Sequence, residues 1–235
     1  MPAEGKLDVV GITAGYGETR ILEDVSFSVS PGARVALLGR NGVGKTTTLA
    51  TLVGQTTFHG GSIQLDGMEL TRLKSFARAA GGLGYVPQTR TIFPSLSVEE
   101  NLITGLKRRP RAALDEAYAL FPRLKERRRN PGSSLSGGEQ QMLTVARTLL
   151  GQPKVLLLDE PLEGLAPVIC DQLMAALSSL SMSVLLVEQQ IDRALDFCET
   201  VVVLDRGKVV HRGPSTTFRN DTALMERHLS VALSV

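Results

Sequence analysis

Residues 34–53 read RVALLGRNGVGKTTTLATLV, and this stretch decides the fold. Arg34–Leu38 is an apolar run of strand length, Gly39–Thr46 fits G-x-x-x-x-G-K-[ST], and Lys45–Val53 is helix-like. Strand, glycine-rich loop and helix in that order make a phosphate-binding loop. Gly39, Gly42 and Gly44 let the backbone curl until its N–H groups, those of Arg40, Asn41 and Val43 among them, face an anion. The helix starting near Lys45 adds the positive end of its dipole. Lys45 is placed to reach the β- and γ-phosphates of a nucleotide, Thr46 to ligate Mg²⁺, and Thr47 completes the binding set.

Downstream, VLLLDE spans Val155 to Glu160. Four apolar residues in a row suit a strand buried on both faces, as a central parallel strand must be. Asp159 and Glu160 then emerge at its carboxyl end, the edge where open α/β sheets bind ligands. Asp159 is the expected Mg²⁺ holder, and Glu160 the base that polarises an attacking water.

A third motif narrows the chemistry. LSGGEQQ, Leu135 to Gln141, places Ser136 and Glu139 at the spacing of a helix capping box, with Met142, Val145, Ala146 and Leu149 continuing at helical period. Two glycines, Gly137 and Gly138, in the first turn of a helix weaken it by up to about 1 kcal/mol each. Their presence makes sense if bare backbone N–H groups must approach an anion. No N-K-x-D stretch of the guanine-reading kind occurs.

Around these motifs, residues from about Leu7 to Val29 alternate as β-strands, and Gly60–Leu65 and Leu83–Val86 read as two more. The middle of the chain is helical, broken at Pro110, Pro122 and Pro131-Gly132. Strand and helix then alternate through Val155–Leu158, Val168–Leu180, Val184–Val187, Ile191–Phe197 and Val201–Leu204. The expected fold is α/β: a mainly parallel central sheet, an N-terminal antiparallel β subdomain and a helical insert. It forms a single domain over residues 1–235, with about 1–87 and 153–235 as core and β subdomain and about 88–152 as the insert. A short C-terminal extension after about Gly213 carries a helix around Thr222–Val231.

Composition is permissive. Of 235 residues 43% are hydrophobic, none is Trp, and 26 basic against 24 acidic side chains leave a net charge of +2. That balance gives no global drive toward nucleic acid. The basic runs Lys107–Arg111 and Arg127–Arg129 read as solvated helical faces. Cys170 and Cys198 match no metal spacing and read as buried hydrophobes. Neither a membrane-spanning apolar run nor a signal peptide is visible, so a cytosolic chain is expected unless a partner holds it elsewhere.

Taken together and in this order, the motifs resemble the ABC ATPase family over nearly the whole chain. The resemblance implies that Ser136, Gly137 and Gly138 grip the γ-phosphate of ATP bound on a second, opposing ATPase subunit, so that the working unit is a dimer with two sandwiched nucleotides. It also implies that Tyr16 stacks on adenine, and that Gln88, in YVPQ, touches Mg²⁺ and relays nucleotide state. By the same resemblance, the neighbouring segment Thr89–Pro94 would line the groove that receives the coupling helix of a permease, one of two that cross the membrane. Where the family usually has a histidine, this chain reads LLVEQQ, with Gln189 at that place. An amide can donate to phosphate but cannot carry a proton near neutral pH, so Glu160 is left with the acid–base work.

VEQ, GGEQQML, EPLEGLAP and FPRLKERR are similar to the smaller ATPase subunit of branched-chain amino-acid importers. GRNGVGKTT and GYVPQTRTIFPSLSVEENL resemble the sister subunit of urea and short-chain amide importers at least as much. Either reading implies ATP and Mg²⁺ as ligands, a different relative as the second ATPase, an extracytoplasmic solute-binding protein, and a peripheral position on the cytoplasmic face of the membrane. Two other readings stand behind these. A soluble ABC ATPase acting on ribosomes or DNA usually has two fused motors or a long coiled coil, and this chain shows neither. A regulatory module without turnover finds footing only in the missing histidine.

Overall fold

A computed structural model describes residues 5–229. The chain opens with β1 (Leu7–Tyr16), β2 (Thr19–Val29), β3 (Arg34–Leu38), α1 (Lys45–Leu52), β4 (Thr57–Leu65) and β5 (Met68–Glu69). Next come α2 (Ser75–Gly81), β6 (Leu83–Val86), α3 (Val98–Gly105), α4 (Leu114–Leu120), α5 (Pro122–Glu126) and α6 (Gly137–Leu150). The last part holds β7 (Val155–Asp159), α7 (Pro167–Ser178), β8 (Ser183–Val187), α8 (Ile191–Phe197), β9 (Thr200–Asp205), β10 (Lys208–Pro214), α9 (Ser215–Asn220) and α10 (Thr222–Leu229).

Two sheets result. The central one runs β10-β9-β3-β8-β7-β6, parallel throughout except for β10, which closes the edge as an antiparallel hairpin with β9. The other is antiparallel, in the order β2-β1-β4-β5. Side chains alternate across a strand, and here the alternation sorts them into two cores. Val35, Leu37, Val155, Leu157, Leu185, Val187, Val202 and Leu204 pack with Leu49 and Leu52 of α1 and with the antiparallel sheet. Their neighbours Ala36, Leu38, Leu156, Leu158, Val184, Leu186, Val201 and Val203 face the other core, shared with the helices. Burial on both faces is why Val155–Leu158 of β7 and Val184–Val187 of β8 are apolar without interruption.

The helical insert between β6 and β7 belongs to this second core through Val98, Leu102, Leu124, Leu143 and Val145. Two of its helices start with complete capping boxes, Ser97/Glu100 on α3 and Ser136/Glu139 on α6. The basic runs, expected on helical faces, lie mostly in the turns that follow α3 and α5, where Lys107, Arg108, Arg128 and Arg129 are exposed and the other three arginines find acidic partners. Arg109 pairs with Glu116, Arg111 with Glu99, and Arg127 with Glu139. Both cysteines are buried and free.

Three sequence expectations change in detail. The strand expected over Gly60–Leu65 starts earlier, at Thr57, because it pairs with β1 along its length. Just before the C-terminal extension, β10 adds an unexpected strand to the central sheet, and the extension itself packs on the helix-side core through Phe218 of α9 and Met225 of α10. The last helix is described as Thr222–Leu229, and Ser230 and Val231 lie outside the described residues. Among the described residues no helix is long and apolar enough to cross a membrane.

Candidate active site

The carboxyl ends of β3, β7 and β8 carry three loops to one cleft. The loop after β3 leads into α1, whose N-cap is Gly44 at φ 112° with no side chain capping it. Unlike α3 and α6, this helix leaves its first N–H groups open; the N–H of Thr48 is the first to close back, on Gly44 O at 2.8 Å. An anion is the natural partner for such an end.

The glycines of the loop have different causes. At Gly39, with φ 148°, a Cβ would stand 2.3 Å from the carbonyl oxygen of Leu204, so the loop passes too close to β9 for any side chain. At Gly42, with φ 80°, a Cβ would meet nothing within 4 Å. Its backbone borders open space.

Tyr16, Asn41, Gly42, Gly44, Lys45, Thr46, Thr47, Gln88, Glu160 and Gln189 line a cleft of about 470 Å³ together with Ile21 and Glu163. Gly39 and Arg40 border an adjoining hollow, and Asp159 one that shares Thr46 and Gln88 with the cleft. The side chain of Val43 turns into the core beside Leu204, leaving only its backbone to the loop. Arg40 turns its guanidinium toward α10, donating to Arg227 O at 3.4 Å. Lys45 is buried and folds over the loop, its Nζ donating to Gly39 O at 2.8 Å and Arg40 O at 3.1 Å. Desolvation lowers its pKa, against the opposing pull of Glu160 and Asp159.

At the end of β7, Thr46 donates to Asp159 Oδ1 at 3.2 Å and the Tyr85 phenol to Oδ2 at 3.3 Å. A hydroxyl and a carboxylate side by side are hard oxygen donors of the kind Mg²⁺ takes. Among the described residues no group of three or more His, Cys, Asp or Glu could hold a metal alone. A Mg²⁺ site that shares its coordination with substrate phosphates needs only one or two carboxylates.

Burial, together with the nearby Glu160 carboxylate, pushes Asp159 up to about 6, overcoming the downward pull of Thr46, Tyr85 and Lys45. The folded chain holds this proton more tightly than the unfolded chain. The associated stability is therefore present below 3.8 and lost as pH rises through about 6. Asp159→Asn removes that loss, so in nucleotide-free thermal melts its gain over the wild type is expected to be larger at about pH 8 than at about pH 5. Equal gains at both values would show that Asp159 does not titrate in this window.

Glu160 follows in the left-handed region, at φ 47°, its N–H held by Val187 O at 2.8 Å. A residue other than glycine persists there only when its surroundings enforce it. The enforced turn aims the carboxylate into the cleft. Its Oε2 accepts from Gln189 Nε2 at 2.5 Å and from Gln88 Nε2 at 3.3 Å. Gln88 also donates to Glu163 Oε2 at 2.8 Å. Base, loop glutamine and the residue in place of histidine thus form one network.

Ser136, Gly137 and Gly138 are not among the residues that line this cleft. Gly138 also has a packing cause that the sequence reading did not contain: a Cβ there would lie 2.8 Å from Ile169 Cγ2, whereas one on Gly137 would meet only the mobile guanidinium of Arg90. Sequence reasoning also passed over Glu163, Tyr85 and Glu188. Tyr85 stands inside YVPQ, but its contact with Asp159 depends on the pairing of β6 with β7.

The comparisons agree with this architecture. The family described as ABC transporter matches residues 22–163. The high-affinity branched-chain amino acid transport ATP-binding protein BraG of Pseudomonas aeruginosa is 41% identical over 206 residues, covering 85% of this chain and 88% of that protein. The lipopolysaccharide export system ATP-binding protein LptB of Escherichia coli is 34% identical over 224 residues, covering 92% of this chain and 93% of that one. A solved ATP-binding subunit of an ABC transporter superposes with a TM-score of 0.82 at 27% identity, covering 95% of this chain and 96% of its own. The chain belongs to the ABC transporter family, as an ATP-binding domain that hydrolyses ATP in the service of transport.

Proposed function

We propose that this chain energises an importer of branched-chain amino acids from the cytoplasmic face of the membrane, with Glu160 as the base of ATP hydrolysis. The observation that carries the chemical part is the carboxylate of Glu160, turned into the cleft and held there by Gln88 and Gln189. The open N-terminus of α1 and the Lys45 ammonium bind the phosphates. Glu160 orients the water and takes its proton, while Gln189 and Gln88 fix the carboxylate. Tyr16, half-exposed at the rim, offers its ring to adenine. When bound, Mg²⁺ at Thr46, Asp159 and Gln88 supplies charge neutralisation on the phosphoryl oxygens.

The separation of Ser136–Gly138 from the cleft supports a site completed by a second ATPase subunit, whose signature helix brings N–H donors to the γ-phosphate. A relative of this chain fits that place. The permease subunits dock beside Gln88–Pro94, where Phe93 is 48% exposed under the guanidinium of Arg147. An extracytoplasmic binding protein selects the solute, and nucleic acid has no part.

Similarity to the branched-chain amino-acid protein supports the substrate, and the Gly39–Thr47 and Gln88 segments favour urea or a short amide as the second reading. Uptake of labelled leucine and labelled urea by source cells lacking this chain tests both. Loss of leucine uptake alone is expected. Loss of urea uptake alone would hand the assignment to the second reading, and no loss of either would contradict both.

A further inference from the structure

One buried carboxylate has no part in the mechanism above. Glu188, the first residue after β8, is 3% exposed. Its Oε1 accepts from the N–H of Gln189 at 3.1 Å and of Gln190 at 3.4 Å, and its Oε2 from the N–H of Leu162 at 3.3 Å. Gln189 and Gln190 lead into α8, whose N-cap has no side-chain partner of its own. Leu162 lies two residues beyond Glu160, on the loop that leaves β7. All the backbone donors that Glu188 holds therefore belong to the two loops that carry Glu160 and Gln189.

Burying a carboxylate is costly, and hydrophobic packing could fill the same space at less cost. Desolvation accordingly raises the Glu188 pKa, the three backbone N–H groups oppose the rise, and the neighbouring Glu160 adds to it. What a carboxylate offers here and no apolar residue could is two acceptor oxygens on one rigid plane. One faces the β8–α8 loop and the other the β7–α7 loop. The clamp sets the separation across which Gln189 Nε2 reaches Glu160 Oε2 at 2.5 Å.

We infer that Glu188 is a positioning residue for ATP hydrolysis, clamping the loops after β7 and β8 so that Gln189 holds Glu160 in line for the attacking water. The inference rests on the roles proposed above for Glu160 and Gln189. Glu188→Gln keeps the size but turns one acceptor oxygen into a donor, so that one of the two loops is released.

The test is phosphate release by the full chain over a range of Mg-ATP concentrations, with Glu188→Gln made in the wild-type and Gln189→Ala backgrounds. Reacting groups displaced by a fraction of an ångström lower kcat by about 10–10²-fold in the wild-type background, with KM for ATP within about twofold. In the Gln189→Ala background the same change is expected to cost about twofold or less, because the contact it positions is gone. Equal losses in the two backgrounds, a rise in KM matching the fall in kcat, or no loss would each overturn the inference. If Glu188→Gln does not fold in thermal melts, Glu188→Asp replaces it under the same expectations, since it withdraws both oxygens by one methylene. Glu160→Gln, run alongside, separates the two readings. Full turnover there would sink the assigned base, whereas lost turnover there with an unaffected Glu188→Gln sinks only the clamp.

Discussion

Replacing Glu160 by Gln is expected to cut steady-state ATP turnover by about 10²–10⁴, the usual worth of a general base. The size of the effect follows from how much of the local structure serves one carboxylate. β7 is buried on both faces and delivers Asp159 and Glu160 at its end without freedom to shift. The left-handed turn at Glu160 is tied to β8 through Val187 O, and two glutamine amides converge on one carboxylate oxygen. Gln at this position has nearly the same shape but cannot take a proton. Gln189 cannot substitute, and neither His59, His211 nor His228 is among the residues lining the cleft. Phosphate release that survived the substitution would remove Glu160 from the base role.

Lys45→Ala is expected to act on binding instead. The ammonium is the single positive side chain among the residues lining the cleft, on the helix whose first turn is uncapped. Charge-assisted hydrogen bonds contribute about 1.5–3 kcal/mol each. Losing one weakens ATP by about 10–10²-fold and losing two by more, measured as the dissociation constant of Mg-ATP. The fold should tolerate the change, because the partners Lys45 leaves are two loop carbonyls, those of Gly39 and Arg40. Unchanged affinity would mean that phosphate binds elsewhere.

Much of this was legible because local chemistry and tertiary role coincide. Val35–Leu38, Val155–Leu158 and Val184–Val187 are apolar on both faces, which only central strands tolerate, and the Ser136/Glu139 box forms as its spacing implied. The order of the strands was not legible, since alternation of strand and helix implies a parallel sheet without saying which strands adjoin. β10 escaped because its residues alternate between exposed and half-buried, leaving no apolar run to read.

Arg78 shows the same limit on the polar side. In sequence it is one more cation, yet it is 3% exposed. Its guanidinium donates to Thr51 O and Leu52 O at the end of α1 and to Thr71 O and Leu73 O. Carbonyls at a helix C-terminus attract such a group, but nothing near Arg78 in the chain announces which helix it will meet. Glu188 was overlooked for the same reason. Its partner Leu162 lies on another strand's loop, and only the pairing of β7 with β8 brings the two together. Motif residues are read by spacing along the chain, whereas these act by spacing across the sheet.

Binding and chemistry are separate functions of one cleft in this account, and equilibrium binding of Mg-ATP to the Glu160→Gln chain tests that claim most directly. The expected result is wild-type affinity or tighter, because Lys45, the open end of α1 and the glycine loop are untouched. An affinity as weak as that of Lys45→Ala would contradict the account, since Glu160 would then hold the nucleotide rather than act on it.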